Sequence, residues 1–247
     1  MQIYKTLIIG GGFSSIGYAA ACPGTVICEE HQICDTGFYL PLRSFRYQPY
    51  APKTEEGAHL LRIFHALSLF KGAEQNTNGF EFALSRYVLE KRLDIQLKCR
   101  VIDRRKGPDA IYDVTVQTNR GLEHLLTERI LDTTPSLGER FFTVLFVCND
   151  IKSVKSRLLA AFDGAYIEPA FYPRRYALHL PVGTTDENRI KHTVYEQWRT
   201  LDVDAKILYM APVFYTEAAT ALLSDAAYAN PIQAFEAGYF LGKENHQ

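Results

Sequence analysis

Residues 3–21 read IYKTLIIGGGFSSIGYAAA, and this stretch decides the fold. It begins with a short apolar run rich in β-branched residues, turns through Gly10, Gly11 and Gly12, and ends in small residues that suit a helix. A buried strand, a glycine turn and a helix in this order predict the start of a dinucleotide-binding βαβ unit. The glycines let the backbone approach a diphosphate closely. The new helix directs its free N–H groups and the positive end of its dipole toward that anion.

The glycine turn matches the dinucleotide fingerprint in part. Gly10 and Gly12 fill the first two positions of G-x-G-x-x-G, and Ser15 stands in place of the third glycine. A second apolar strand follows the helix and ends in Glu29 and Glu30, where a carboxylate would hold ribose hydroxyls. The alternative is a plain tight turn followed by a solvated strand end.

The composition is that of an ordinary globular protein. The chain has 247 residues and a formal net charge of −1, which gives no general attraction to nucleic acid or to an anionic membrane. No apolar run is long enough to span a bilayer. The N-terminus lacks the basic and apolar segments of a signal peptide, so we expect a cytoplasmic protein with no membrane contact.

The five cysteines do not indicate a metal site. They form no C-x-x-C pair and no Cys/His cluster with zinc spacing, so free thiols and no metal are expected. Cys28 and Cys34 are close enough in sequence to suggest a redox pair. Two ordinary cysteines are the simpler interpretation, because buried free cysteines behave as small apolar residues.

Periodic patterns place the elements of the middle of the chain. Apolar residues at helical spacing predict two helices, at 55–70 and 80–93. Alternating patterns predict three strands, at 95–102, 112–118 and 122–131. The last two strands are joined by a hairpin turn at Asn119-Arg120-Gly121. Residues 32–53 are rich in aromatic residues, arginine and proline, and read as a loop that either contacts a ligand or is packed by its own side chains.

The order of these elements along the chain resembles that of a known superfamily. A glycine turn and an acidic strand end are followed by helices, a strand, a β-hairpin and an apolar strand that leads into Asp132-Thr133-Thr134-Pro135. Over residues 1–135 this order resembles the FAD-dependent oxidoreductases of the glutathione-reductase-like superfamily. The resemblance implies an α/β fold, with a Rossmann-like FAD-binding parallel sheet, an inserted β-hairpin or meander, and a smaller α+β substrate or lid domain.

The resemblance also implies which residues bind FAD. By position it assigns contacts to the glycine turn, the acidic strand end, the backbone beside adenine and the strand that passes the diphosphate. These residues are Gly10, Gly11, Gly12, Phe13, Ser14, Ser15, Glu29, Glu30, Val101 and Thr133. No catalytic acid or base is assigned.

Three positions depart from the superfamily pattern. Ser15 replaces the third glycine, where a larger side chain should loosen close packing of the helix on the strand. Pro135 stands where a closing glycine is expected. Near the C-terminus the superfamily has a strand followed by Gly-Asp. Residues 205–210 are interpreted here as that strand, but they continue into Ala211-Pro212-Val213 without the pair.

The second half of the chain shows a βαβαβ pattern. Its strands are predicted at 141–148, 176–182 and 207–215, with helices between them. Such a unit suits a substrate or lid region whose sheet covers the flavin face. We therefore divide the chain into an FAD-binding domain, residues 1–138 with 205–247, and a smaller region, residues 139–204. Asn230-Pro231 predicts a capped helix start, which the resemblance places beside the flavin ring.

The resulting hypothesis is an FAD-binding oxidoreductase that transfers a hydride between the flavin and a small-molecule substrate. The chain has no second glycine fingerprint for NAD(P)H, so the electrons would come from the substrate, from a protein electron-transfer partner, or from NAD(P)H bound without its own Rossmann unit. A homo-oligomer also stays open. One alternative is a non-catalytic homologue that binds FAD or another nucleotide and acts as a partner subunit. Another is an NAD(P)-binding dehydrogenase, which predicts that the hairpin at 112–131 is not inserted between strands of the main sheet.

Overall fold

A computed structural model describes the elements of the chain in order. It covers residues 2–30, 33, 50–71, 74–75, 79–133, 136–170, 172–184, 186–218, 225, 228 and 230–246. The helices are α1 (Phe13–Ala21), α2 (Glu55–Ala66), α3 (Phe80–Lys91), α4 (Ile151–Ala161), α5 (Glu187–Thr200) and α6 (Pro231–Glu244). The strands are β1 (Ile3–Tyr4), β2 (Thr6–Ile9), β3 (Thr25–Glu29), β4 (Phe70–Lys71), β5 (Glu74–Gln75), β6 (Asp94–Leu97), β7 (Arg100–Lys106), β8 (Tyr112–Thr118), β9 (Gly121–Thr127), β10 (Ile130–Asp132), β11 (Ser136–Cys148), β12 (Tyr166–Pro169), β13 (Arg175–Pro181) and β14 (Ala205–Ala218).

A parallel sheet of four strands carries the glycine turn. Its order is β10-β2-β3-β6, and each neighbouring pair runs parallel. The central strand β2 is apolar because both faces are covered, and Leu7 and Ile8 are fully buried. The chain leaves β2 through α1, returns in β3, and later adds β10 on the other side of β2. This order is that of a dinucleotide-binding sheet, and it confirms the predicted fold class.

Helix α1 packs against α6 with very close backbones. A Cβ atom added at Gly17 would meet the carbonyl group of Phe235, and one added at Gly238 would meet the backbone of Ser14. Glycine is required at both positions because the two helices cross there without room for side chains. The C-terminal helix is thereby fixed to the first helix of the chain.

Helices α2 and α3 pack beside α1 and α6. The Thr54 side chain accepts a hydrogen bond from the N–H of Gly57 and so caps the start of α2. The ring of Phe13 meets those of Phe64 and Phe80 edge-on, with centroids 5.8 and 5.7 Å apart. Both predicted helices are confirmed, although α2 ends at Ala66, several residues earlier than predicted.

A second sheet is inserted into the parallel one. Strands β7, β8 and β9 form an antiparallel meander, and β1 joins it beside β9. In the chain this meander lies between β6 and β10, which are both strands of the parallel sheet. The NAD(P)-binding dehydrogenase alternative predicted that the hairpin at 112–131 is not inserted between strands of the main sheet, and the insertion contradicts that prediction. The predicted strand at 122–131 is two strands, because the chain changes sheets between Thr127 and Ile130.

A third sheet is antiparallel and has the order β12-β13-β11-β14. Helices α4 and α5 pack on one of its faces against a core that includes Phe142, Leu178 and Trp198. This sheet corrects the predicted domain boundary at residue 205. Strand β14 pairs antiparallel with β11 from Cys148↔Ala205 to Ser136↔Ala218, so it does not extend the parallel sheet. The remainder of the division stays a prediction.

No helix in the described part of the chain is long and apolar enough to cross a membrane.

Candidate functional site

The glycine turn lies where the parallel sheet reverses its strand order. Strand β2 ends at Ile9, between the ends of β3 and β10, so the turn opens at the carboxyl edge of three strands. Crevices at such switch points bind ligands in open α/β sheets. Gly10 has φ of +100°, and a Cβ atom there would lie 2.5 Å from Oγ1 of Thr133. Glycine is therefore required both by the backbone angle and by the contact.

Glu29 is turned toward the glycines. Its Oε2 atom accepts a hydrogen bond from the N–H of Gly11 at 2.5 Å, and only 4% of the residue is exposed. The predicted acid at the end of the second strand thus lies against the turn. Its neighbour Glu30 does not, because it is exposed and lies 3.7 Å from Nε of Arg100.

The first turn of α1 is capped by a carboxylate from the far end of the chain. Asp225 accepts hydrogen bonds from the N–H of Phe13 at 2.7 Å, the N–H of Ser14 at 2.9 Å and the Ser14 hydroxyl at 2.6 Å. The residue is 3% exposed. Two backbone amides and a hydroxyl therefore converge on one anionic group at the positive end of the helix dipole.

Sequence analysis missed Asp225 because the expected acid was sought after residues 205–210. That segment belongs to β14 of the antiparallel sheet, so it is not the strand that precedes the acid. The usable signal was Leu222-Leu223-Ser224-Asp225, an apolar pair and a small residue before an aspartate, shortly ahead of Asn230-Pro231. Asp225 supplies a carboxylate at the start of α1, and serine rather than glycine precedes it in the sequence.

Thr133 and Ser15 close the back of the turn. The Thr133 hydroxyl donates to the carbonyl oxygen of Ile9 at 2.6 Å and lies 3.3 Å from the Ser15 hydroxyl. Ser15 is fully buried, so the serine in the third glycine position is accommodated between the helix and β10. The expected loosening of the packing is not observed there. Pro135 and Thr134 lie outside the described residues.

The other residues predicted to bind FAD lie around the turn or farther from it. Gly12 is the N-cap of α1. The Phe13 side chain belongs to the core, so only its amide faces Asp225. Val101 pairs with Val116 in the inserted meander and packs behind β3. The structure therefore brings together the turn, Glu29 and Thr133, and leaves Val101 at their margin.

Helix α6 begins shortly after Asp225 in the sequence, and a side chain caps its start. The Asn230 side chain accepts from the N–H of Ile232 at 2.8 Å, which confirms the predicted cap before Pro231. Further along α6, Glu236 is 1% exposed and accepts a hydrogen bond from the Tyr50 hydroxyl at 2.7 Å. Burial and this carboxylate together raise the pKa of Tyr50 well above its ordinary value.

Two buried thiols lie beside the turn. A hydrogen bond with Cys99, together with burial, raises the pKa of the Cys28 thiol far above its ordinary range. A neutral thiol is a poor nucleophile, so Cys28 is an apolar packing residue at neutral pH. Cys34, its suggested redox partner, lies outside the described residues.

A polar cluster lies on the antiparallel sheet, on the face opposite α4 and α5. His179 is fully buried between Thr143, whose Oγ1 is 2.9 Å from Nδ1, and Glu168, whose Oε2 is 3.4 Å from Nε2. The Tyr166 ring stacks on the imidazole at 4.6 Å. These residues occupy neighbouring strands, because His179 pairs with both Thr143 and Tyr166. The imidazole therefore lies between a hydroxyl and a carboxylate, with its orientation fixed by Thr143 and by the stacked Tyr166 ring.

Within the described ranges, no group of three or more His, Cys, Asp or Glu residues could hold a metal ion.

Comparisons with known proteins identify the fold. No family model matches the sequence, and no curated protein matches it significantly. An aromatic hydroxylase from angucycline biosynthesis has a similar structure, with a TM-score of 0.55 and 9% identity over 99% of this chain and 63% of its own. Aklavinone-11 hydroxylase, solved with FAD and aklavinone, gives 0.50 and 11% over 88% of this chain and 55% of its own.

A third similar structure is a flavoprotein/dehydrogenase from Cytophaga hutchinsonii. Its TM-score is 0.53 at 12% identity, over 100% of this chain and 78% of its own. The chain therefore spans less than two thirds of the two hydroxylases and more of the dehydrogenase. At these identities the likeness concerns architecture. The chain has the fold of the Rossmann-type FAD-binding flavoproteins.

Proposed function

We propose that this chain is an FAD-binding oxidoreductase that transfers a hydride between the flavin and a small-molecule substrate. The observation that carries the proposal is the cradle of amides at the switch point of the sheet. The N–H groups of Gly11, Phe13 and Ser14 all point at anionic oxygens there. The similar aklavinone-11 hydroxylase was solved in complex with FAD, whose diphosphate is negatively charged and could accept hydrogen bonds from such N–H groups.

The donor set fits the diphosphate of FAD. In the structure these donors face carboxylate oxygens of Glu29 and Asp225, and backbone N–H groups at a helix start are the kind of donor that binds a diphosphate. In the proposed complex the turn from Gly10 to Ser15 and Thr133 hold the diphosphate, Glu29 holds the adenine ribose, and the backbone at Val101 lies beside adenine. When bound, FAD supplies the group that accepts or donates the hydride.

The protein contributes orientation and a controlled environment. The amino end of helix α6, capped by Asn230, is buried, and its N–H groups would favour negative charge on an anionic ring bound beside it. The antiparallel sheet would bind the substrate on the face that carries Glu168. Thr143 and His179 are fully buried, so of these three residues only the partly exposed Glu168 could contact a substrate.

Titration with FAD tests the proposal directly. Purified protein should be yellow, or should quench the fluorescence of added FAD with saturation, and FAD should raise the thermal midpoint. Glu29→Gln should weaken binding by about tenfold, because the amide cannot accept hydrogen bonds from two ribose hydroxyls. Glu30→Gln is the matched control, since its carboxylate is exposed beside Arg100, and it should leave the affinity unchanged.

Two results would contradict the proposal. One is a colourless protein that neither quenches nor is stabilised by FAD. The other is equal loss in both glutamate variants, which would mean that net charge rather than the turn determines binding.

A non-catalytic homologue that acts as a partner subunit is the second candidate. This candidate predicts co-purification of a partner protein without flavin. The aromatic residues between 38 and 50 suggested for its interface lie outside the described residues, apart from Tyr50.

A further inference from the structure

We propose that a cavity beside α5 binds a small zwitterion with an apolar side chain, such as an apolar α-amino acid. The cavity lies between α4, α5 and the end of β13, on the helix-covered face of the antiparallel sheet. It is separate from the glycine turn and from the sheet face that carries Glu168, so the inference does not depend on the proposed function. Its volume is about 320 Å³, which is within the range of small-molecule sites.

The cavity is open because α4 ends before it reaches the start of α5. Arg157, within α4, donates a hydrogen bond to the carbonyl oxygen of Asp202, just after α5. Gln197, in α5, donates to the carbonyl oxygen of Ala161, the last residue of α4. The two helices therefore run antiparallel, with the end of α4 beside Gln197. Arg189 lies about two turns earlier in α5, so this half of α5 extends past α4 and covers the cavity.

The floor of the cavity is apolar. Phe162 after α4, Leu180 on β13 and Ile190 on α5 line it, and they are 5–7% exposed as parts of one core. The wall at Gly183 is open, because an added Cβ atom there would meet no atom within 4 Å. A branched aliphatic or aromatic side chain that entered here would exchange water for contact with this core.

Two opposite charges line the same cavity without pairing with each other. Arg189 lies in the first turn of α5, and Asp163 follows the end of α4. Both are exposed, and among the described residues neither side chain makes an ion pair or a hydrogen bond. The nearby carboxylate of Asp186 accepts instead from the backbone N–H of Arg189, at 3.1 Å. The helix dipoles have the same signs as these side chains, positive at the start of α5 and negative at the end of α4.

This distribution of charge selects the class of ligand. A simple carboxylate would leave Asp163 beside it without a cation, and a simple amine would leave Arg189 without an anion. A zwitterion places its carboxylate at Arg189 and its ammonium group at Asp163, and both contacts are charge-assisted. Its side chain then lies on the apolar floor. An apolar α-amino acid has these three parts on one carbon atom.

Isothermal titration with L-leucine and with L-phenylalanine tests the site, and the emission of Trp198 locates it. Trp198 is the single tryptophan of the chain, and its ring lies 6.4 Å from that of Phe162 on the cavity floor. We expect at least one of the two amino acids to bind with saturation and to change the Trp198 emission over the same concentrations. Isocaproate lacks the ammonium group of leucine, and isoamylamine lacks its carboxylate. Each should bind at least about tenfold more weakly than L-leucine, because bonds between charged groups are the strong ones.

Two variants remove the charges one at a time. Arg189→Gln and Asp163→Asn should each weaken binding of the amino acid by at least about tenfold. Asp163→Asn should also bring L-leucine and isocaproate to similar affinities, which a purely structural role of Asp163 would not do. Arg199→Gln, in the last turn of the same helix, and Asp109→Asn, in an exposed turn of the meander, are the matched controls. Both should keep the wild-type affinity, and circular dichroism should show all four exposed variants folded.

Three results would overturn the proposal. One is the absence of saturable binding of both amino acids to the wild type. Another is binding of isocaproate or isoamylamine as tight as that of L-leucine, which would mean that the two charges do not select a zwitterion. The third is an affinity that is the same in Arg189→Gln and Asp163→Asn as in their controls, which would place the ligand elsewhere on the protein.

Discussion

Replacing Glu236 by glutamine should lower the free energy of unfolding by about 2–3 kcal/mol. Its Oε1 atom accepts from the N–H of Thr54 at 2.7 Å, the Thr54 hydroxyl at 2.7 Å and the N–H of Lys53 at 2.8 Å. Its Oε2 atom accepts from the Tyr50 hydroxyl at 2.7 Å. Glutamine keeps one accepting oxygen and places an NH2 group where the other was. One charge-assisted bond is lost, and the others weaken toward the strength of neutral bonds.

Urea unfolding followed by circular dichroism measures this effect. The thermal midpoint should fall by about 5–10 °C for a chain of this size. Tyr50→Phe, which removes a single donor, should cost about 1 kcal/mol. Glu244→Gln is the control, because it makes the same change at the exposed end of the same helix and should stay within about 0.5 kcal/mol of the wild type. A Glu236→Gln protein as stable as this control would refute the reasoning.

Two further predictions follow from packing and from ionisation. Gly17→Ala should destabilise the protein by about 1–3 kcal/mol in urea unfolding, because its methyl group would displace the backbone of Phe235, whereas Gly183→Ala, with no described atom near the new Cβ, should be neutral. Burial raises the pKa of Glu56, but hydrogen bonds from Lys91 and Tyr87 outweigh it and lower the pKa below 4.5. A lowered carboxyl pKa stabilises the fold above the unfolded value and loses this effect as pH falls through the folded one. The wild type should therefore lose more stability than Glu56→Gln between about pH 5 and pH 3, by about 1 kcal/mol or less after solvent screening. Parallel pH profiles of the two proteins would contradict this.

Local sequence patterns were sufficient to predict the core of the site. The strand, the glycine turn and the helix are contiguous, so residues 3–21 were enough to predict them. The acid of β3 follows from the parallel pairing of β2 and β3, which places Glu29 at the edge where the turn opens. The cap at Asn230 was also readable, because a capping side chain and its amide are two residues apart.

Long-range pairing could not be predicted in the same way. Asp225 reaches amides that lie 211 and 212 residues earlier, and no local periodicity encodes such a contact. Strand β14 has an ordinary strand composition, and only its register with β11 reveals which sheet it joins. The strands predicted at 95–102 and 122–131 are each two strands, because alternation continues where the chain passes from one sheet to the next.

The crossing of α1 and α6 has a consequence for synthesis of the chain. Everything that the antiparallel sheet needs lies within residues 136–218, so that unit can assemble as soon as β14 has left the ribosome. The parallel sheet and its helices cannot assemble so early, because α1 packs on α6 at the C-terminal end of the chain. Lys5, near the N-terminus, likewise contacts His246. A nascent chain should therefore carry α1 without its packing partner for most of its translation. We expect chaperones to engage α1 until the last helix arrives.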